Sequence, residues 1–502
     1  MNKEVFFRQM DQLGLALTYD DVRLKSGGPS KVMPDEVSLE SKFSKNVPLH
    51  IPLVSAAMDR VTESYMAIAM AMLGGLGVIH RQLSPEAQAK EVARVKFYVN
   101  GFIVKPICVR PEQTIHEILT MREQKRFPFH SFPVTDNENR IVGILSSRDF
   151  EFCDNTESLA RNVMTAEVIT APEGTSIDEA YTIMMQHKSK LLPIVNKENR
   201  VVGLYSWKNV KDIKSGRSSK NNLDANGQLR VAAAIGTGGE AIVRARSLAE
   251  ENVDAIVIDT AHADSEAVYT TIRLIKKQIP NVDLVVGNIS EPDSAKRLLD
   301  EGVDGLKIGQ GPGSICTTRI VAGIGCPQVT AIYNCSRIAE SYSVPINADG
   351  GLRYSGDIPV AIGAGAHSVM MGSMFAGTNE APGKIIYYKG RQWKQYRGMG
   401  SLSAMQESKS SRERYLQNSS GKDDLVPEGI EGLVPYKGSV DKVVFQYIGG
   451  LRRGMGYVGA ADIEELRKTA DFHRTTHAGQ SESHPHDVLI TEEAPNYPGG
   501  EV

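Results

Sequence analysis

Cysteine is scarce in this chain: five in 502 residues, at Cys108, Cys153, Cys316, Cys326 and Cys335. The count is odd and no pair has metal-ligand spacing. That argues against a disulfide framework and a zinc site and makes a reduced, cytoplasmic setting the expectation. Aromatic residues are few as well, at 6%, which suits a core of Val, Ile, Ala and Met better than a stacking platform for bases. Neither sign of charge dominates, since 57 Lys+Arg against 60 Asp+Glu leave −3. A chain so balanced is not built to coat nucleic acid or an anionic membrane. Long hydrophobic runs are missing too. MNKEVFFRQM at the N-terminus lacks the apolar segment of a signal peptide. The longest apolar stretch, Met66 to Ile79, is too short to span a bilayer and is broken by Gly74, Gly75 and Gly77.

What is abundant is glycine: 46 residues, about 9% against a usual ~7%. The excess falls in short clusters without a period, so it marks functional loops and rules out a collagen-like chain. The length suggests two to four domains, or one large α/β barrel with an accessory unit.

One internal repeat stands out. FPVTDNENRIVGILSSRDF starts at Phe132 and LPIVNKENRVVGLYSWKNV at Leu192, so that Pro133 matches Pro193 and Gly143 matches Gly203 at an offset of 60. Each copy reads strand, Asn-rich turn, strand, helix start. The copies span about 101–155 and 160–216, with SGRSSKNN after Lys214 as an exit linker. The pair resembles a tandem of CBS domains, a family that often binds adenine or guanine nucleotides; a spacer or dimerisation module is the alternative. Ser146-Ser147-Arg148-Asp149 keeps the polar pattern that holds a ribose in that family, whereas the second copy has Asn209 in place of Asp.

Around the repeat lie eight apolar runs ending in Gly, Asp, Asn or Ser. They start at Ile51, Gly75, Val231, Ala255, Asp283, Gly305, Val344 and His367, and amphipathic segments separate most of them. Continuous apolar strands alternating with helices imply a parallel sheet buried on both faces, and eight units predict an α/β fold of the (β/α)8 TIM-barrel type. The repeat pair (101–216) interrupts that barrel between its second and third strands, leaving residues 1–100 and 217–502 as its two parts. A doubly wound sheet is the fallback, but no G-x-G-x-x-G opens a helix.

Barrels do chemistry at the C-terminal ends of their strands. Here those ends carry Ser55, Asp259, Asn288, Gly309 to Ser314, Asp349-Gly350-Gly351 and Gly372-Ser373. The last two clusters follow strands seven and eight, where backbone N–H groups commonly bind phosphate; ordinary turn glycines are the plainer reading of either alone. The segment from Gly309 to Arg319 joins a three-glycine loop to a single cysteine, Cys316. A loop cysteine among polar donors can act as a thiolate nucleophile, though a lone cysteine is more often a small buried hydrophobe.

With LTYDDVRL from Leu17, GQGPGSICTTR, NADGG, MMGS, YRGMGS from Tyr396, RERY from Arg412, VPEGIEG from Val426 and SESHPHD from Ser481, the chain resembles the IMP dehydrogenase family over essentially its whole length. The resemblance implies NAD-dependent oxidation of IMP to XMP in guanine nucleotide biosynthesis. Cys316 would attack C2 of the hypoxanthine, giving a thioimidate that is then hydrolysed. Asp259, with Asn288, Gly309, Gln310 and Gly311, would hold the dinucleotide. Ser55, Ser314, Asp349, Gly350, Gly351, Gly372 and Ser373 would hold the ribose and phosphate of IMP, together with Tyr396, Arg397, Gly398, Met399 and Gly400, and Glu428 would meet the purine edge. Potassium would sit on carbonyls of Gly311, Gly313 and Cys316, with Glu482, Ser483 and His484 from a neighbouring subunit. That sharing implies a homotetramer, with an octamer through the CBS pair left open. The polar segment from about 398 to 438 would be a moving flap, in which Arg414 and Tyr415 close over the vacated dinucleotide site and the arginine activates water. From the residues alone Arg414 reads as a solvated charge, and Thr318 is an alternative proton relay.

Two positions depart from the commonest pattern: Ala263-Asp264, where Gly-His is frequent beside the dinucleotide, and Leu433, where Arg is frequent in the flap. GMP reductase, a deaminating relative using NADPH, is the nearest competing reading; an inactive nucleotide-sensing barrel is a more distant one.

Overall fold

All eight apolar runs form strands in the computed structural model, and they close on themselves. They are β1 (Leu53–Ser55), β2 (Leu76–Ile79), β3 (Ala232–Ile235), β4 (Ala255–Asp259), β5 (Asp283–Ile289), β6 (Gly305–Ile308), β7 (Ile346–Asp349) and β8 (Ser368–Met371). Every neighbouring pair is parallel, and β8 pairs with β1 to complete the barrel. The structure describes residues 2–497 apart from 29, 97, 100, 101, 105, 125–130, 216–219, 416 and 418–423. Residues 216–219 of the exit linker read at SGRSSKNN therefore lie outside the described residues, as does part of the flap.

Strand alternation decides what fills the barrel. Val54, Leu76, Val78, Ala232, Ala234, Ala255, Val257, Val285 and Met370 form one buried cluster, and Phe43, from a short hairpin, packs into it. Small side chains on β3 and β4 suit so narrow an interior. The outer ring consists of α1 (Ser64–Met72), α2 (Pro85–Lys96), α3 (Gly238–Glu250), α4 (Glu266–Gln278), α5 (Pro292–Asp300), α6 (Gln328–Ser341) and α7 (Asp357–Ala364). Helix α5 shows why such segments are helical. Pro292 stands in the first turn, where its missing N–H costs nothing, and Ser294, Ala295, Leu298 and Leu299 make one buried face.

After β8 the chain adds an antiparallel sheet of β9 (Ile385–Tyr388), β10 (Arg391–Arg397) and β11 (Glu431–Pro435). Between β10 and β11 runs the flap segment, whose last described helix is α8 (Lys409–Arg414). Helix α9 (Val440–Val458) packs between α7 and α1 and completes the ring.

The chain divides into two compact units, the barrel (1–96, 221–224 and 229–502) and a second unit (97–220 and 225–228). Within the second unit each repeat copy has its own core: Phe132, Val134 and Leu145 among others in one, Leu192, Ile194 and Tyr205 in the other. The copies pair reciprocally, Ile141 N–H donating to Asn199 O and Val201 N–H to Asn139 O. Asn139 and Asn199 both adopt positive φ, of 64° and 59°, as the Asn-rich turns require. Gly143 and Gly203 leave room for Met164 and Phe102, since a Cβ at either would fall within 2.2 Å of those side chains. The Asp149 carboxylate, read as a ribose ligand, accepts from Ser146 N–H and Oγ in a capping box. The side chain of Asn209 lies outside the described residues.

Candidate active site

The same alternation that fills the barrel puts charge at its mouth. Ala255, Val257 and Asp259 share one face of β4, Gly305 and Lys307 one face of β6, and Asn347 and Asp349 one face of β7. Asp259, Lys307 and Asp349 thus converge at the C-terminal rim. Lys307 is 1% exposed. Its Nζ lies 3.0 Å from Asp259 Oδ1 and 2.5 Å from Asp349 Oδ2, and it donates to Asn288 Oδ1. Gly287 makes this possible, because a Cβ there would come 2.5 Å from the Lys307 Cβ. Asn288 Nδ2 donates to Asp349 Oδ2 at 2.9 Å and to Gly309 O at 2.6 Å, tying three strand ends together.

The cysteine loop follows β6. Gly309 (φ 142°) passes so close to β7 that a Cβ would meet Asp349 O at 2.3 Å. Arg319 staples the far side of the loop through Nε to Gln310 O at 3.0 Å and Nη2 to Cys326 O at 2.5 Å. Gln328, fully buried at the start of α6, donates to Ile308 O and Asp349 O. Cys316 Sγ is 3.2 Å from Thr318 Oγ1 and 3.7 Å from Glu428 O. The backbone of this loop is laced to the flap's exit. Thr317 N–H donates to Glu428 O, Ile430 N–H to Ile315 O, and Glu428 N–H to Gly400 O. Backbone hydrogen bonds thus tie the cysteine loop, Glu428 and the turn at 398–400 together. Burial pushes the thiols of Cys108 and Cys326 up to about 11, and that of Cys335 higher still, so none of these three supplies a thiolate near neutral pH.

On the opposite rim, Gly350 and Gly351 are left-handed (φ 88° and 84°), and Gly372 opens the short turn of helix at Ser373–Ala376. The Tyr396 hydroxyl lies 3.6 Å from Met58 Sδ, and burial raises its pKa. Gly372 must lack a side chain, for a Cβ would lie 2.4 Å from that hydroxyl.

The flap folds over this mouth. Arg414 ion-pairs with Asp259 Oδ2, and its carbonyl accepts from Ala261 N–H at 3.1 Å. Burial works to lower the pKa of the Arg414 guanidinium; the Tyr415 hydroxyl beside it and the Asp259 carboxylate work against that. The Tyr415 ring lies flat on Gly400, where a Cβ would meet it at 2.6 Å. Gln417 clasps the returning chain, donating to Val426 O at 2.7 Å and accepting from Val426 N–H at 2.9 Å.

One cavity gathers most of the residues singled out from the sequence: Asp259 and Asn288, the Gly309–Gly313 loop with Cys316 and Thr318, Asp349 and Gly350, Gly372 and Tyr396, Gly398 and Met399, and Arg414, Tyr415 and Glu428. Others stand outside it. Ser55 is fully buried and accepts from Thr62 Oγ1. Arg397 turns its guanidinium onto Asp59, at 2.9 and 2.6 Å, and onto Ser403 and Glu407, so it braces the turn rather than facing the cavity. Gly351, Ser373 and Gly400 do not line it, and neither do Glu482, Ser483 and His484 of the same chain; His484 Nδ1 instead meets Tyr497 Oη at 2.8 Å. Arg414, which reads as a solvated charge without the resemblance, is instead half-buried, its side chain 16% exposed, in an ion pair with Asp259. The departure at Ala263-Asp264 is absorbed locally. Ala263 is fully buried with its N–H on Asn288 O, and Asp264 is taken up by Arg297, Ser294 and Tyr269, which hold its carboxyl well below the usual range. Lys307 escaped the sequence reading. Its one signal is a lone charge inside the apolar run GLKIG, two residues short of the glycine loop.

A family model described as "IMP dehydrogenase / GMP reductase domain" matches residues 16–486. Among curated relatives, an inosine-5'-monophosphate dehydrogenase of Aquifex aeolicus is 49% identical over 485 residues, 96% of this chain and 97% of its own length. Its counterpart in Bacillus subtilis is 46% identical over the same shares of each chain. Among solved structures, a GMP reductase of Trypanosoma brucei in complex with guanosine 5'-monophosphate superposes with a TM-score of 0.79 at 38% identity, covering 94% of this chain and 98% of its own. No helix among the described residues is long and apolar enough to cross a membrane.

Proposed function

The chain belongs to the IMP dehydrogenase / GMP reductase family, on the side of the NAD-dependent IMP dehydrogenases, and from that premise we propose how its own residues oxidise IMP to XMP. The Cys316 thiolate adds to C2 of the hypoxanthine, and the C2 hydrogen leaves as hydride to the nicotinamide of NAD⁺, giving NADH and a thioimidate. Water then adds to C2, the sulfur leaves as thiolate, and XMP and a proton are released. Thr318 Oγ1, 3.2 Å from Sγ, is placed to exchange a proton with the thiol.

Asp259 and Asp349 divide the binding between them. A carboxylate accepting two hydroxyl hydrogen bonds suits a ribose diol; Asp259 would take the nicotinamide ribose and Asp349 the ribose of IMP. Gly350, Gly351, Gly372 and Ser373 would offer backbone N–H groups to the phosphate, with Ser314 and Tyr396 adding hydroxyls. Glu428, fastened to the cysteine loop, would face the purine edge.

The observation that carries this reading is the docked flap. Arg414 occupies the Asp259 carboxylate that the dinucleotide would use, so the two must take turns. Departure of NADH frees Asp259, Arg414 and Tyr415 close over C2, and Arg414, whose guanidinium desolvation makes readier to release a proton to solvent, acts as the neutral guanidine that takes a proton from the water adding to C2. Arg414→Ala tests this. Hydride transfer is expected to persist as a burst of NADH followed by a much slower steady rate; equal loss in both phases would overturn the assignment.

The reductase reading deserves a direct assay because of the Trypanosoma brucei structure. Its coverage extends over the inserted unit, so that unit does not separate the two activities. NADH formed from IMP and NAD⁺, with no NADPH consumed on GMP, is the expected result.

The carbonyls of Gly311, Gly313 and Cys316 make a neutral oxygen set, which suits a monovalent cation. Gly311, at φ 75°, is backed so closely by Arg319 that only glycine fits. We propose potassium there, completed by Glu482, Ser483 and His484 of a neighbouring copy, and hence a homotetramer. The inserted unit we read as a CBS pair that binds adenine or guanine nucleotides. Five free cysteines favour a cytoplasmic setting.

A further inference from the structure

Beyond its end, β2 continues as His80-Arg81-Gln82, and this segment reaches across the mouth to α8. Gln82 Nε2 donates to Ser411 Oγ, which is 1% exposed on the buried face of α8. Arg81 Nη1 lies 3.9 Å from Glu413 Oε2, the residue before Arg414. Arg81 is itself fixed: it is 7% exposed, and its guanidinium covers Gly236, where a Cβ would come 2.3 Å from Nη1. So a rigid strand end holds the helix that carries Arg414. None of Arg81, Gln82, Ser411 and Glu413 lines the cavity.

We propose that Gln82 and Arg81, acting on Ser411 and Glu413, form a latch that holds α8 in its docked position and sets how long Arg414 remains on Asp259 before dinucleotide can return. The proposal rests on the alternating use of Asp259 argued above. The four are positioning residues: they touch neither thiol nor substrate, and they act by weighting the docked state against the open one. A ligand that binds only the open state competes with docking, so loosening the latch must favour that ligand by the same factor by which it depletes the docked form.

The test uses the full chain with Gln82→Ala and Glu413→Gln. Arg81 is left alone because removing a buried arginine endangers folding. Loss of one such contact is expected to shift the docking equilibrium roughly three- to tenfold. In stopped-flow, the NADH burst rate is expected to stay at the wild-type value while steady-state kcat falls by that factor. Inhibition by excess NAD⁺ should strengthen in parallel, because NAD⁺ occupies the open site of the covalent intermediate. Gln82→Ala combined with Ser411→Ala should be no worse than either alone. A merely structural role would lower burst and steady rates together and leave NAD⁺ inhibition alone, and that result would overturn the latch. Arg414→Ala run alongside separates the two ideas. If it fails to split burst from steady rate, the flap reading itself is wrong; if it splits them while the Gln82 and Glu413 variants match wild type, only the latch is.

Discussion

Replacing Lys307 by Met probes the centre of the site with little change in volume. The ammonium is 1% exposed and touches Asp259, Asp349 and the Asn288 amide oxygen. Met fills the space of the stem and leaves two carboxylates facing each other without the cation between them. Removing one partner from a buried ion pair costs about 3–5 kcal/mol. The lower end applies here. Asp349 is 18% exposed on its side chain and retains the Asn288 amide, and Asp259 retains Arg414 whenever the flap is docked. That cost of about 3 kcal/mol falls on folding and should appear as a lower melting temperature, and kcat/KM should fall as well, because both carboxylates are the proposed ribose ligands. The assay is NADH formation with IMP and NAD⁺ each varied, beside a thermal melt. A double-mutant cycle sharpens it: Asp349→Asn should cost less in the Lys307→Met background than in wild type, by at least about 1 kcal/mol. A variant that melts lower yet keeps wild-type kcat/KM would reduce Lys307 to core packing, and one unchanged in both would refute the electrostatic argument altogether.

Cys316→Ala should abolish NADH formation while IMP still binds, because the ribose and phosphate contacts lie elsewhere; mass spectrometry of quenched wild type should place the adduct on the Cys316 peptide, and an adduct on Cys326 would contradict the thiol assignment. Replacing residues 97–220 by a short linker should leave a folded barrel with near wild-type activity, since Lys96 Nζ already sits 3.0 Å from Asp224 Oδ2 across the gap; any response to adenine or guanine nucleotides should vanish with the insert, and a variant folded by circular dichroism but inactive would show that the units are not separable. His367 is half-buried, accepts from Ile346 N–H, and is pushed down to about 3 by desolvation, with Arg467 adding to it. Its folded pKa lies below the unfolded value near 6.5, so the unfolded chain takes up a proton first and stability falls as pH drops from about 6.5 toward 3. His367→Gln should flatten that part of the dependence of Tm on pH, and an unchanged slope would show that other groups govern it.

The barrel was legible because a strand buried on both faces announces itself as a short unbroken apolar run, and helices between such runs allow only parallel neighbours. All eight strands followed from Ile51, Gly75, Val231, Ala255, Asp283, Gly305, Val344 and His367, and so did the interruption between the second and third. The cysteine loop and the paired glycine turns were legible too, since left-handed backbone and close approach demand glycine at Gly311, Gly350 and Gly351. What those local rules could not supply is the pairing of charges brought together from distant parts of the chain. Lys307 reads as a blemish in an apolar strand until β4 and β7 close beside β6 and set carboxylates on either side of it. Arg397 carries the same charge as any substrate-binding arginine, and only the fold turns it onto Asp59, 338 residues away. Arg414 reads as a solvated charge from the residues alone, yet α8 sets it against Asp259 in an ion pair. Sequence alone determines backbone conformation and burial pattern, because these depend on neighbours a few residues apart. Which charges meet depends on the closure of the whole barrel, and that only the tertiary structure decides.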